Sequence, residues 1–228
     1  MPSGRRNTGG RSRARAGNGV QPVIAEPTKR PSLREEHKLV TRARIRRCAR
    51  QCFARDGIGD VSLEMIAIEA GIGRTTLYQY YPSKPELLID LMEQSLRATD
   101  RVYQQLVRIE PLDLGAVNRW LSDYVAEVRD KASSVDMFHV EMGQDDRVRA
   151  LLRRHRESTT AILGKRFAAF DLASLSGDEL VRRTYAAESL ISEIDEFCGA
   201  ASRDDYHLDR AVVIEFLARR IFRALQGD

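Results

Sequence analysis

Residues 62–81 constrain the fold most, because they hold two short helical patterns separated by a glycine-containing turn. Ser62 is a favourable N-cap, and Glu64 follows in the first turn, where a negative charge is stabilising. The apolar residues after Ser62 have the spacing of one inner helix face, and Gly71 breaks this helix. Gly73 precedes a second helix over about residues 74–80, in which Leu77 faces inward. Two short helices about such a turn are typical of a helix-turn-helix motif.

The second of these helices and the residues that follow it are rich in hydrogen-bond donors. None of the polar residues singled out in this stretch is an acid. Side chains of this kind suit a partner that is rich in acceptors and negatively charged. They are Arg74, Thr75, Thr76, Tyr78, Gln79, Tyr80, Tyr81 and Lys84.

Helical patterns flank this motif on both sides. From residue 34 to 55, apolar residues recur at helical spacing while arginines occupy the other faces. After the motif, Ser83 and Glu86 have the spacing of a capping box and open a helix that runs unbroken towards Pro111. This helix would be roughly 35–40 Å long. Since that exceeds the size of the front unit, we expect it to join this unit to the rest of the chain.

The rest of the chain is predicted to be a helical bundle. Amphipathic stripes recur, and Ser176 with Glu179 gives a second capping-box pattern. The last helix is predicted over about residues 208–225 and is apolar almost all round between Ala211 and Ala218. Such a helix needs two packing partners, of which we expect one to be a second subunit. The predicted fold class is therefore all-α, with a three-helix helix-turn-helix domain joined by a long helix to a C-terminal bundle, about nine helices in total.

Charge is distributed unevenly along the chain. Residues 1–32 carry a net charge of +6 and residues 33–84 a net charge of +4, whereas residues 85–228 carry −6. The first segment is rich in Gly, Arg, Ser and Pro, so it cannot bury enough apolar surface to fold alone. We predict a disordered basic arm there. A basic front third is expected of a protein whose N-terminal part meets a polyphosphate.

Several other classes of protein are not indicated. Three cysteines do not make a secreted disulfide framework, and Cys48 and Cys52 lie on an apolar helix stripe, so we expect them in the core. The sequence has no apolar run of about 18 residues and no apolar segment after the N-terminal arginines. We therefore expect neither a membrane span nor a secretory signal, and we expect a cytoplasmic protein. No cofactor motif is found.

Residues 41–92, about a quarter of the chain, resemble the DNA-binding domain of TetR-family transcriptional regulators. Three segments and their spacing carry the resemblance. A first helix ends in Ala-Arg-Gln-Cys-Phe-Ala-Arg-Asp-Gly, a Val-Ser-Leu cap follows, and Gly-Ile-Gly-Arg-Thr-Thr-Leu-Tyr-Gln-Tyr-Tyr leads into Pro-Ser-Lys. Gly73 stands where the family commonly has serine, and Tyr81 stands where phenylalanine is usual. The domains this implies are the basic arm at 1–35, a DNA-binding domain at 36–92 and a ligand-binding and dimerisation domain at 93–228.

The resemblance implies that the second short helix enters the major groove of DNA. There Arg74 can pair with guanine and Gln79 with adenine. Thr75 and Thr76 suit phosphates or a thymine methyl group. The resemblance indicates contacts to the DNA backbone by Tyr78, Tyr80 and Lys84, and more weakly by Thr41 and Ser62. We expect a homodimer, formed through the last two helices, on a pseudo-palindromic operator.

The resemblance also implies a small-molecule pocket in the C-terminal bundle. Bulky residues on inner stripes are the candidates, although such residues also fill cores. The candidates are Trp120, Tyr124, Phe138, Met142, His155, Phe167 and Tyr185. His139, Glu141 and His155 lack a convincing metal-ligand spacing, so no metal is predicted.

Three alternatives remain at this stage. The chain can be a DNA-binding protein without a ligand switch, which a pocket in the bundle would argue against. It can be a helical enzyme, although no nucleophile elbow, phosphate-binding loop or paired-acid motif is found. A helical adaptor would need neither the donor-rich helix nor the basic front third. Repression is the commoner behaviour in the family, so a repressor released by its ligand is the expectation.

Overall fold

The structure is a computed structural model that describes residues 32–130 and 145–227. These residues form eight α-helices and one short 3-10 helix at Ala168–Phe170, with no strand among them. The helices are α1 Leu33–Asp56, α2 Leu63–Glu69, α3 Arg74–Tyr80, α4 Lys84–Val107, α5 Leu114–Asp130, α6 Asp146–Gly164, α7 Gly177–Ala201 and α8 Arg210–Gln226. The predicted all-α class is confirmed. Nearly all of the predicted basic arm, together with Phe138 and Met142, lies outside the described residues.

Local capping signals explain where most helices begin. Ser32 forms a full capping box with Glu35 at the start of α1, so this helix begins a little before the predicted domain boundary. Ser62 and Ser83 accept hydrogen bonds from the backbone amides of Met65 and Glu86. The capping box predicted at Ser176 is wrong, because the Ser176 side chain makes no capping hydrogen bond.

Glu179, the expected partner of Ser176, is engaged elsewhere. Its carboxylate pairs with Arg182 and Arg183, which lie three and four residues further along α7. Such ion pairs along one helix face compete with the capping interaction for the same carboxylate. The helix nevertheless begins at the predicted place.

The front core is built from α1, α2, α3 and the first half of α4. Ile45, Ile66, Leu77 and Leu87 are completely buried in it. Cys48 and Cys52 are buried free thiols of α1, which confirms their predicted place in the core. This core fixes α3 to the protein by one face and leaves the opposite face outside.

Two helices contribute to both cores. Along α4, Leu96 still belongs to the front core, while Val102 and Leu106 belong to the back core. The same division occurs in α6, which packs along α4. Val148 and Leu151 of α6 pack into the front core, whereas Ile162 and Leu163 pack into the back core. The two units are therefore joined by side-chain packing as well as by the chain.

The back core is centred on aromatic residues where α4 meets α5. The rings of Tyr103, Trp120 and Tyr124 pack against one another with centroids 5.5–6.0 Å apart. Such tilted and edge-on contacts are favourable arrangements for aromatic rings. Helices α7 and α8 close the bundle with Ile191, Ile194, Leu217 and Ile221.

Gly164 at the end of α6 has no room for a side chain. A Cβ atom there would lie 2.7 Å from the backbone oxygen of Phe170, which cannot rotate away. We expect Gly164→Ala to lower the free energy of unfolding by about 1–3 kcal/mol. Urea unfolding followed by circular dichroism measures this. Gly115→Ala is the control, because its Cβ would meet only side-chain atoms of Arg119 and Asp113; an equal loss in both variants would contradict the explanation.

Candidate functional site

Helix α3 presents polar residues on the face that points away from the front core. Leu77 is completely buried and anchors the helix, while Arg74, Thr75 and Gln79 are exposed. The other predicted contact residues on α3, which are Thr76, Tyr78 and Tyr80, are half-buried. The structure thus brings the predicted donors together on one accessible surface, and their contact with DNA stays a prediction.

Arg74 is held by neighbours on α2 and α3. Its guanidinium lies 3.0 Å from the Glu64 carboxylate and 5.5 Å from the centre of the Tyr78 ring. The Tyr78 hydroxyl donates to the same carboxylate at 2.9 Å. A contact between Arg74 and a base therefore requires the guanidinium to turn away from Glu64.

Two of the remaining predicted contact residues, Ser62 and Lys84, lie beside the loop between α1 and α2. Lys84 Nζ donates to the carbonyl oxygens of Ile58 and Gly59, which ties the start of α4 to this loop. A shallow depression between the loop and the α3–α4 turn is lined by Ser62, Tyr78 and Lys84 among others. Thr41 is half-buried on α1. A lysine beside two helix N-termini is a favourable environment for an anion.

A buried polar network supports α3 from behind. The hydroxyl of Tyr81, at the C-terminus of α3, donates to the Asp90 carboxylate of α4. Arg42 Nε of α1 donates to both the Tyr81 hydroxyl and Asp90, at 3.1 and 3.2 Å, and Arg46 Nε lies 3.1 Å from Asp90. Burial, and then the hydrogen bond to Asp90, raises the pKa of Tyr81, so the hydroxyl remains a donor. The hydroxyl that distinguishes Tyr81 from phenylalanine thus binds α3 to α1 and α4.

The bundle contains a cavity of about 570 Å³ that reaches the front unit. Its volume lies within the range of small-molecule sites. Arg50 of α1 lines the cavity together with Tyr124, His155 and Asp195 of the bundle. Apolar side chains in the lining include Leu96, Val128 and Leu152.

A charged cluster contributes part of this lining. We define the His155 cluster as Asp100, Tyr103, Tyr124, His155 and Asp195. His155 Nε2 lies 2.9 Å from Asp195 Oδ2, and Nδ1 lies 3.2 Å from Asp100 Oδ1. The hydroxyls of Tyr103 and Tyr124 both donate to Asp195 Oδ1 at 2.9 Å.

Burial disfavours the imidazolium form of His155, but the two carboxylates outweigh burial. Together they raise the pKa of His155 to about 9. Burial, and then the Asp195 charge, raises the pKa of Tyr103 and Tyr124 well above the usual value. At neutral pH the cluster therefore holds a charged imidazolium between two carboxylates, with both tyrosines protonated.

Comparison with known proteins identifies the front unit. Residues 45–91 match the model of a family described as bacterial regulatory proteins, tetR family. Residues 45–91 of this chain are therefore similar to the TetR family. The matched region corresponds to the DNA-binding, helix-turn-helix part of these bacterial regulatory proteins.

Known relatives support this assignment to different extents. The transcriptional regulator EthR of Mycobacterium tuberculosis is 35% identical over 63 residues, which are 28% of this chain and 29% of EthR. A TetR-family regulator from Streptomyces coelicolor has the same fold, with a TM-score of 0.58, 20% identity and coverage of 82% of both chains. The multidrug binding protein EbrR, solved with imidazole, has a TM-score of 0.58 at 19% identity, covering 81% of this chain and 93% of EbrR. The chain thus matches less than a third of EthR, and the solved structures establish only the fold.

The candidate pocket residues of the C-terminal bundle have different environments. Tyr124 and His155 line the cavity. Trp120 and Phe167 are buried in the back core and do not line it, because they pack towards neighbouring helices; Trp120 Nε1 donates to the Val102 carbonyl oxygen at 3.0 Å. Tyr185 is also misplaced by the sequence analysis, since its side chain on α7 is 74% exposed.

Sequence reasoning missed two residues that line the cavity, Arg50 and Asp195, and also Asp100, which contacts His155 but does not line the cavity. Arg50 was counted with the arginines on the polar faces of α1. Asp100 and Asp195 were not singled out at all. A signal for Asp195 existed, because it interrupts the apolar face formed by Ile191, Ile194 and Cys198. Within the described residues, no group of three or more His, Cys, Asp or Glu side chains is placed to hold a metal ion, and no helix there is long and apolar enough to cross a membrane.

Proposed function

We propose that this protein is a homodimeric transcriptional repressor that leaves a pseudo-palindromic operator when a small molecule binds its C-terminal bundle. The observation that carries the proposal is the outward polar face of α3, which is anchored by Leu77 in a unit that resembles the TetR family. Arg74 and Gln79 are exposed on this helix, and the major groove of DNA is wide enough to admit an α-helix. Lys84 and Ser62 lie beside the helix, where they would contact the phosphates of bound DNA.

Exposed apolar residues on the last two helices support a dimer. On α7, Val181 and Tyr185 are 67% and 74% exposed, and on α8, Val212 and Phe216 are 64% and 61% exposed. Each pair is four residues apart, so its members share one helix face. The predicted all-round apolar segment of α8 is thus half covered by its own bundle, since Ile214, Leu217 and Ala218 are buried. A two-fold partner would cover the rest and present two α3 helices to one DNA site.

The cavity favours a regulated protein over a constitutive DNA-binding protein. It is lined from both units, because Arg50 belongs to α1 of the front unit and Asp195 belongs to α7 of the bundle. A ligand there would favour one relative position of the two units, and thereby one spacing of the α3 helices. A coupling of about 1–3 kcal/mol is typical and would weaken DNA binding about 5- to 150-fold. EbrR, which has this fold, is described as a multidrug binding protein.

Selection from a pool of random DNA duplexes tests the proposal without knowledge of the operator. We expect the full chain to enrich a pseudo-palindromic sequence, and its affinity to fall steeply with salt. Gln79→Ala should weaken binding by about 1–3 kcal/mol and relax the preference at one base pair in each half-site. Gln104→Ala, at an exposed position on α4, is the matched control. Failure to enrich any sequence, or equal loss in both variants, would contradict the proposal.

A further inference from the structure

The charged groups that line the cavity differ in how they are neutralised. His155 is held between Asp100 and Asp195, and Asp195 also accepts from two tyrosines. Arg156 pairs with Glu188 at 3.4 Å. Arg101 and Glu196 are exposed at the rim, where water solvates them. Glu127 is half-buried in the cavity wall and is not without a partner. These charges do not require a ligand.

Arg50 is different from the other charges. Its side chain is half-buried. Within residues 32–130 and 145–227, the Arg50 guanidinium donates a hydrogen bond to the neutral amide oxygen of Gln94, at 2.6 Å. The nearby Asp90 carboxylate is already shared by Arg42, Arg46 and the Tyr81 hydroxyl. Burial, and then the charge of Arg46, lowers the pKa of Arg50. A partly desolvated guanidinium with only an amide for a partner is an incomplete site for an anion.

The rest of the cavity defines what accompanies the anion. Leu96, Val128 and Leu152 give the walls an apolar part, and Thr99 and Ser95 add hydroxyl groups. We propose that the cavity binds an organic carboxylate with an apolar body, whose carboxylate pairs with Arg50 and whose body lies against Leu96, Val128 and Leu152. This inference rests on the proposed function, of which it names the effector class.

The position of Arg50 connects this ligand to the side chains that hold α3. Arg50 follows Arg46 by one helical turn on α1, and Arg46 contacts Asp90, which binds the Tyr81 hydroxyl at the end of α3. A carboxylate at Arg50 adds a negative charge beside this network and changes how strongly Arg46 is held by Asp90. Because the same ligand touches the back core near Tyr124, its binding links the α3 support to the bundle.

Matched ligands that differ only in charge test the proposal on the full chain. The probes are 4-phenylbutyrate, 4-phenylbutanamide and 4-phenylbutylamine, measured by calorimetry and by thermal shift. We expect 4-phenylbutyrate to bind about 10- to 100-fold more tightly than the amide, because charge-assisted hydrogen bonds to arginine are lost in the amide. Arg50→Gln should abolish this preference, and Arg50→Lys should keep part of it. Arg153→Gln, at an exposed arginine of α6 that does not line the cavity, should leave it unchanged.

Each contrary outcome has a definite meaning. Equal binding of the carboxylate and the amide, tighter binding of the amine, no binding of 4-phenylbutyrate at millimolar concentration, or equal losses in Arg50→Gln and Arg153→Gln would overturn the assignment. The melting temperature of each ligand-free variant shows whether it is folded, and Arg50→Lys provides the test if Arg50→Gln is not. The DNA selection needs no ligand. A protein that selects DNA but does not prefer the carboxylate contradicts the effector class alone, and the reverse result contradicts the regulator proposal alone.

Discussion

Asp195→Asn should lower the free energy of unfolding by about 2–4 kcal/mol, since it removes the carboxylate that organises the His155 cluster. The Asp195 carboxylate accepts from Tyr103, Tyr124 and His155. An asparagine keeps one acceptor oxygen. If this oxygen accepts from the two tyrosines, the NH2 group faces the imidazolium, and two donors then oppose each other. Urea unfolding at pH 7 measures the loss. Asp123→Asn, which removes an exposed carboxylate from α5, should change stability by less than about 0.5 kcal/mol.

The pH dependence separates this explanation from a general packing defect. In the folded protein the pKa of His155 is about 9, above the usual histidine value of 6.5. The stabilisation that the charged His155 contributes is therefore complete below about pH 6.5 and is lost as the pH rises through 9. The loss in the free energy of unfolding over this range is about 3 kcal/mol. We expect the wild type to lose this stability between pH 6.5 and 9, and Asp195→Asn to show a smaller loss over that range. An NMR titration that gives His155 a pKa near 6.5 in the wild type would contradict the prediction.

Phe216→Glu should convert the protein to a monomer and weaken binding to the selected DNA by roughly 100-fold or more. Buried aromatic residues near the centre of an interface commonly contribute 2 kcal/mol or more to binding. A glutamate in place of Phe216 would leave an unpaired charge in an apolar interface. The mass in solution, measured by analytical ultracentrifugation, gives the first result, and the DNA titration gives the second.

Leu39→Glu is the matched control, because Leu39 is also a large apolar residue with an exposed side chain but lies on α1. We expect this variant to remain a dimer. If Phe216→Glu is still a dimer at micromolar concentration, the interface lies elsewhere on the protein. If it is a monomer that binds the selected DNA as well as the wild type does, the two-half-site model is wrong.

The elements that sequence reasoning places well are those set by nearby residues. Helix α3 follows from Gly73, Leu77 and the polar positions between them, and α4 begins directly after the serine that its capping pattern indicates. The burial of Cys48 and Cys52 follows from helical spacing alone. In each case the residues that decide the structure are separated by one or two helical turns.

The features that were missed depend on residues far apart in the sequence. His155 and Asp195 are 40 positions apart, and the pairing of Tyr103 with Asp195 spans 92 positions. Tyr185 looks like a pocket residue by type, but only the packing of α7 shows that its side chain points outward. The link between Arg74 and Glu64 joins two helices whose relative angle the sequence does not specify. Residue type alone therefore indicated the kinds of site but not their composition.

The double membership of α6 limits how freely this architecture can be recombined. Val148 and Leu151 complete a core whose other residues come from the first 96 positions of the chain. The boundary between the two halves thus crosses a helix instead of following a linker. A graft of the first 92 residues onto an unrelated bundle would remove Leu96, Val148 and Leu151 from this core and expose the apolar side chains that they cover. Exchange of DNA-binding units among relatives therefore requires matched positions more than fifty residues downstream.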